Sequence, residues 1–219
     1  SEYGPSGNIS EGFRQWVGDH KIAIEFNGHT KEFIEGSDAV VLSPGVRLDA
    51  SPVQWAKKQG IPVGGEIEFT AQFCPKPVIA ITGTNGKTTV TTLIHQVLEA
   101  AGYKAVLCGN IGKPFAEYVL DLEDKDFVVL EVSSFQLEST HTFRPSIAVW
   151  LNFTQNHLDR HRDMAEYFEA KEKIFANQTS ADFAVLNGNN ERMRELMVRS
   201  KVCYFNESNG YTENQAAVL

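Results

Sequence analysis

Residues 82–89 read Thr-Gly-Thr-Asn-Gly-Lys-Thr-Thr. Two glycines let such a turn fold its backbone N–H groups inward around an anion, and a helix starting at its end adds partial positive charge. Lys87 can reach terminal phosphates, and the Thr88 hydroxyl can ligate Mg²⁺. Gly83, Thr84, Asn85, Gly86, Lys87, Thr88 and Thr89 are therefore the candidate nucleotide-binding residues. The strict loop pattern has glycine five residues before Gly86, where this chain has Ile81. The competing reading is a Gly-rich turn with an incidental lysine. The apolar run Val78–Thr82 before it and the helix-spaced apolar residues after it favour the nucleotide.

Glu131 closes the apolar run Val-Val-Leu-Glu-Val. A carboxylate there is expensive to bury unless it is paired or holds a cation. A strand-end carboxylate beside a phosphate loop is where a Mg²⁺ ligand is expected; an ion pair with a nearby lysine is the alternative. Further on, His157 and His161 stand four residues apart. Their segment begins in a loop, so the spacing does not imply a shared metal. His157 alone could ligate Mg²⁺, although imidazole prefers softer metals. A hydrogen-bonded structural role is open for each histidine and preferred for His161. Lys171, in Tyr167-Phe-Glu-Ala-Lys171, reads from spacing alone as a solvated helix lysine.

These residues need a frame that brings strand ends together. The chain alternates strands and helices from residue 78 onward. Strands are expected at Val78–Thr82, Ala105–Cys108, Phe127–Val132, Ile147–Asn152, Ala184–Leu186 and Val202–Phe205. Helices are expected at Thr88–Ala101, with Gly102 as its stop, and at Met164–Ala176. That order predicts an α/β domain of three layers with a largely parallel sheet. Ligands of such sheets bind at the carboxyl ends of strands, which is where 83–89, 131–134 and 152–159 fall. Upstream, helices are expected at Glu11–Val17, Ser51–Gln59 and Glu66–Phe73. Strands are expected at Lys21–Phe26, Asp38–Leu42 and Ile61–Val63. Pro75 and Pro77 break the pattern, so the domain boundary is expected there, giving domains 1–75 and 76–219.

The chain has 219 residues, 20 Lys+Arg against 28 Asp+Glu, a net charge of −8 and 42% apolar residues. These values fit a globular protein and exclude collagen-like and disordered classes. The acidic balance argues against a nucleic-acid binder, which needs a basic footprint. Cys74, Cys108 and Cys203 are widely spaced, odd in number and form no CxxC pair, so neither a zinc ribbon nor a disulfide framework is expected. No apolar run approaches the ~20 residues of a membrane span, and the first ten residues do not resemble a secretory signal. The expectation is a cytoplasmic protein with no membrane or nucleic-acid partner.

Four segments together resemble the Mur ligase family, whose members build the peptide stem of bacterial cell-wall precursors. They are Gly83–Thr89, Glu131-Val-Ser-Ser134, Asn152-x-Thr-x-x-His-Leu-Asp159 and the Tyr167-x-x-Ala-Lys171 helix. Ser43-Pro-Gly-Val46, Gly109-Asn-Ile-Gly112 and Ser133–Glu138 are most similar to the branch that adds D-glutamate. The resemblance implies a partial Rossmann-like N-terminal domain that binds a UDP substrate, followed by a partial P-loop-type ATPase domain.

It also implies a chemistry. ATP would phosphorylate the carboxylate of UDP-N-acetylmuramoyl-L-alanine, and the amine of D-glutamate would attack the acyl phosphate. Lys87 would stabilise the transferring charge. Thr88 and Glu131 would hold one Mg²⁺; His157 and a carbamylated Lys171 would serve a second. Lys87, His157 and Lys171 are thus the catalytic candidates. Asn110, Ser133 and His157 are the substrate-binding candidates. Asn156 and Gln155 replace residues that are often acidic in the family, which lowers the negative charge near the second cation. No match to the family's first strand, late ATPase segment or C-terminal domain is found, so an inactive fragment, and a monomer, are expected. Sibling muramyl ligases, folate polyglutamate ligases and a nucleotide-binding module without ligase activity are the alternatives.

Overall fold

The structure, a computed structural model, describes residues 10–155 and 161–206. The chain divides into two compact units, 1–41 with 46–63 and 42–45 with 64–219. In the first unit lie α1 (Glu11–Asp19), α2 (Lys31–Glu35), most of β1 (Val40–Leu42) and α3 (Ser51–Lys58). Ser10 and Thr30 cap α1 and α2 by accepting from the N–H groups of Phe13 and Phe33. No strand forms over Lys21–Phe26. Lys21 and Asn27 bracket that stretch at φ 53° and 62°, and only Phe26 makes a strand-like bridge, so the alternation never becomes a ladder. Glu25 instead accepts from both the N–H and the hydroxyl of Thr30, which orders the start of α2, a helix the sequence pattern did not announce.

The second unit holds most of β2 (Val63–Gly65), which runs into α4 (Glu66–Ala71). There follow β3 (Val78–Thr82), α5 (Lys87–Ala100), β4 (Ala105–Gly109), β5 (Phe127–Glu131), α6 (Ser134–Glu138), β6 (Ile147–Trp150), α7 (Met164–Glu172), β7 (Phe183–Asn187), α8 (Glu191–Arg194) and β8 (Lys201–Phe205). A tight turn over Lys173–Phe175 extends α7 where a continuous helix to Ala176 was expected. The six strands β3–β8 form one sheet in the order β4-β5-β3-β6-β7-β8, parallel throughout.

Strand alternation distributes the sheet's two faces. Ile79, Ile81, Val129 and Val149 meet Val90, Ile94 and Leu98 of α5 on one face. Ala80, Val128, Leu130, Ala148, Trp150 and Leu186 pack on the other with Leu137, Phe168, Ile174 and Phe175. This is the three-layer arrangement expected from the alternation of strands and helices. Leu93 and Val97 of α5 remain 55% and 58% exposed, so the packed stripe is narrower than the apolar spacing implied. Glu68 of α4 is buried. Its carboxylate accepts from the N–H groups of His141, Thr142 and Phe143 at 2.8–3.0 Å. Burial alone would raise that carboxyl; these bonds, with that of the Thr142 hydroxyl, outweigh it and hold its pKa low.

The chain leaves central β3 toward one edge through α5 and later returns past it to β6. Thr82, Glu131 and Trp150, at the carboxyl ends of β3, β5 and β6, flank this switch in direction, the place where such sheets hold ligands. Gly109, at the end of β4, makes that crowding possible. It has φ 103°, and a Cβ there would stand 2.3 Å from the Glu131 carbonyl oxygen. Gly109→Ala is expected to destabilise the chain by at least ~2 kcal/mol, through overpacking and a disfavoured φ together. Urea unfolding measures this, and a loss close to zero contradicts it. All three cysteines are free; burial, then Glu66 and Cys74, push the Cys108 thiol up to about 12. Among the described residues no helix is long and apolar enough to cross a membrane.

Candidate functional site

The turn between β3 and α5 is built to leave donors open. Gly86 caps α5 in a left-handed conformation, φ 79°, and no side chain closes that helix end. By contrast Ser133, Asp163 and Asn190 cap α6, α7 and α8 with their side chains. A fourteen-residue helix that starts with free N–H groups presents them, and its partial positive charge, to an anion. Asn85, Gly86, Thr88 and Thr89 are exposed, and Gly83 and Thr84 are buried beneath them.

Two lysines converge on this turn. Lys87 Nζ donates to the carbonyls of Gly83 and Thr84, both at 3.0 Å. Lys171 Nζ donates to the same Gly83 carbonyl at 3.0 Å, lies 3.3 Å from Thr82 Oγ1, and sits 4.9 Å from the Tyr167 ring centre. Burial lowers the Lys87 ammonium from its ordinary value, opposed by the Glu131 charge. Lys171 is only 1% exposed. Burial, and then repulsion from Lys87, bring its pKa down to about 7. The reading of Lys171 as a solvated helix lysine is corrected here: α7 turns it inward under the phosphate turn, between Tyr167 and Thr82.

Glu131 is 1% exposed and both its oxygens are occupied. Oε2 accepts from the Thr88 hydroxyl and Oε1 from Asn110 Nδ2, each at 2.8 Å. A carboxylate and a hydroxyl at the mouth of an anion-binding turn are hard oxygen donors. With phosphate oxygens and water they fit Mg²⁺, which takes few protein ligands. Among the described residues no group of three His, Cys, Asp or Glu is placed to hold a metal on its own. The structure therefore brings Lys87, Thr88, Glu131, Asn110 and Lys171 together around one turn. His157 lies outside the described residues.

Ser133 serves α6: its hydroxyl accepts from Gln136 N–H, and the Gln136 side chain accepts from Ser133 N–H. Sequence reasoning missed this capping box, whose signal is Ser-x-x-Gln. His161 is buried against the Phe135 and Tyr167 rings. Its Nε2 is 3.0 Å from Ser134 Oγ and its Nδ1 is 3.3 Å from Glu138 Oε1. The order serine, histidine, glutamate is that of a nucleophile relay, but Ser134 is 2% exposed, so this is a structural anchor, as expected for His161.

Sequence reasoning placed Asn152 and Thr154 in a segment at the ligand-binding strand ends but missed that they hold the turn from beside β6. Asn152 hydrogen-bonds both backbone groups of Asn85. The Thr84 hydroxyl accepts from Thr154 N–H at 3.1 Å and lies 3.3 Å from the Tyr167 hydroxyl. The signal was the pairing of two loops at adjacent strand ends, which only the strand order reveals.

The Mur ligase middle domain profile matches residues 81–218. The chain is 48% identical over 189 residues to the UDP-N-acetylmuramoylalanine–D-glutamate ligase of Koribacter versatilis, covering 85% of this chain and 42% of that protein. It is 50% identical over 171 residues to the enzyme of the same name from Geotalea uraniireducens, covering 78% and 38%. Thus it spans about two fifths of the length of these relatives. Among solved structures, the UDP-N-acetylmuramate:L-alanyl-gamma-D-glutamyl-meso-diaminopimelate ligase of Neisseria meningitides superposes with a TM-score of 0.58. That match has 17% identity and covers 91% of this chain and 68% of the other, a likeness of fold alone.

Proposed function

The chain belongs to the Mur ligase family, and from that premise we propose that it is the nucleotide-handling part of a ligase that joins D-glutamate to UDP-N-acetylmuramoyl-L-alanine at the expense of ATP. The observation that carries this reading is the convergence of Lys87, Thr88, Glu131 and Lys171 on one uncapped helix start, in a chain nearly half identical to D-glutamate ligases. A cytoplasmic, monomeric protein belongs to the same proposal. So does the division of labour in which residues upstream of the ATPase sheet receive the UDP substrate.

The residues divide the work by their chemistry. The N–H groups opening α5 receive the phosphates of ATP. Lys87 exchanges two carbonyl partners for phosphate oxygens and follows the charge as the γ-phosphoryl group moves to the substrate carboxylate. Thr88 and Glu131 hold a Mg²⁺, which supplies neutralisation of the phosphate oxygens when bound. Lys171 has a different part. A pKa of about 7 leaves much of it as free amine at neutral pH. The amine nitrogen can add to the carbon of CO₂, forming an N–C bond and releasing a proton, to give a carbamate. That converts a cation which does not suit a metal site into an anionic oxygen ligand, and with His157 it would serve a second Mg²⁺. Asn110, bonded to Glu131, and Ser133, at the start of α6, are the residues assigned to the substrate.

The test is ADP release from MgATP and UDP-N-acetylmuramoyl-L-alanine, with and without D-glutamate, by a polypeptide of the relatives' full length carrying this sequence. Release that requires D-glutamate is expected. Release that requires another amino acid keeps the family and changes the acceptor. Silence with every acceptor removes the ligase reading.

A further inference from the structure

The geometry points to Asn152 as a positioning residue for the nucleotide, acting through the backbone on both sides of Asn85. This rests on the reading of the β3–α5 turn as a phosphate site. Asn152 follows the carboxyl end of β6, beside β3 in the sheet. Its Oδ1 accepts from Asn85 N–H at 2.9 Å, and its Nδ2 donates to the Asn85 carbonyl at 2.9 Å. The two bonds fix which end of the amide carries oxygen, since one partner only donates and the other only accepts. The Asn152 carbonyl also accepts from Thr84 N–H at 3.1 Å, and the Thr84 hydroxyl donates to the Thr154 carbonyl at 3.3 Å. A side chain and a strand extension thus continue the sheet pairing up to the exposed tip of the turn.

Asn85 immediately precedes Gly86, whose left-handed φ aims the first N–H groups of α5. A glycine at that position has a wide choice of conformations. The Asn85 N–H and C=O lie on the two peptide units that flank its Cα, so holding both fixes the backbone leading into Gly86 and narrows that choice before any ligand arrives. Such preorganisation strengthens binding by cutting the cost of ordering. It demands one donor and one acceptor in one plane, which asparagine has. Leucine is of similar size and has neither. Ionised aspartate keeps only the acceptor and adds a negative charge beside the phosphates.

The test uses this chain, with MgADP as the probe, by calorimetry well below the melting temperature of every variant. Asn152→Ala is expected to weaken MgADP about ten-fold or more, the worth of one to two hydrogen bonds, and to lose amide-exchange protection at Asn85. Asn152→Asp is expected to keep part of that protection and still bind more weakly. A merely structural asparagine would lower the melting temperature and leave the affinity alone. Unchanged affinity in folded Asn152→Ala, or in Asn152→Asp should the alanine variant not fold, overturns the proposal. Absence of MgADP binding by the unsubstituted, folded chain overturns the phosphate-site reading and this one with it.

Discussion

Lys171→Met is expected to cut ligase turnover in a full-length polypeptide by ~10³-fold, a loss typical of removing an electrostatic element at the reacting charge. MgADP affinity should stay within the same order, because Lys171 lies under the turn while Lys87 and the α5 N–H groups are the ones proposed to meet the phosphates. The same substitution in this chain is expected to raise stability at pH 7. An ordinary lysine titrates near 10.5, and burial holds this one at about 7. Between those values the unfolded chain binds the proton and the folded chain does not. Stability therefore rises with pH from about 7 to 10.5; as pH falls it declines over that same interval and levels off below about 7. From pH 7 to pH 9 the gain amounts to about 2 kcal/mol, or several degrees in melting temperature. Methionine fills the same space without the charge, so it should remove the Lys171 share of that slope and leave only the smaller share of half-buried Lys87. Melting curves at both pH values decide this; a slope as steep in the variant as in the unsubstituted chain, or a less stable variant at pH 7, refutes it. A residue whose removal stabilises the fold and stops the reaction is one kept for its chemistry.

The frame of the site was legible because its determinants are local. Val78–Thr82 is apolar without alternation, as a strand covered on both faces must be, and Gly-Lys-Thr-Thr marks the helix start. Both stand where expected. The need of Glu131 for partners was legible for the same reason, since a carboxylate in an apolar run is costly to bury alone; that those partners are Thr88 and Asn110 was not. Lys171 was not, because its burial depends on reaching Thr82, at the end of a strand 89 residues earlier, and no helical spacing encodes that. The Lys21–Phe26 stretch shows the opposite failure. Its alternation is real, but Lys21 and Glu25 are used to end one helix and begin another. Asn152 was hidden because the ladder it extends joins β3 to β6, strands that are not consecutive in the chain.

Glu131→Gln carries the second large effect, and it separates the carboxylate's charge from its shape. Glutamine fills the buried slot and can still bond Thr88 and Asn110, so folding stability should change little. The negative charge is what disappears. Glu131 is the charge that holds the Lys87 ammonium up against burial. Without it, Lys87 becomes easier to deprotonate and poorer at meeting a phosphate. Without it also, the Thr88 hydroxyl stands alone as a cation ligand, and a lone hydroxyl does not hold Mg²⁺ against water. The unsubstituted chain should therefore bind ADP more tightly with Mg²⁺ than in excess chelator, and Glu131→Gln should erase that difference, with MgADP affinity down about 100-fold. Thr88→Val, which removes a ligand and leaves the charge, should fall between the two. Titrations of ADP with Mg²⁺ and with chelator give both numbers for each protein. If Glu131→Gln keeps the Mg²⁺-dependent gain, the cation is held elsewhere and Glu131 only braces Thr88 and Asn110. The assignment predicts instead that the gain disappears with the charge, while the melting temperature barely moves.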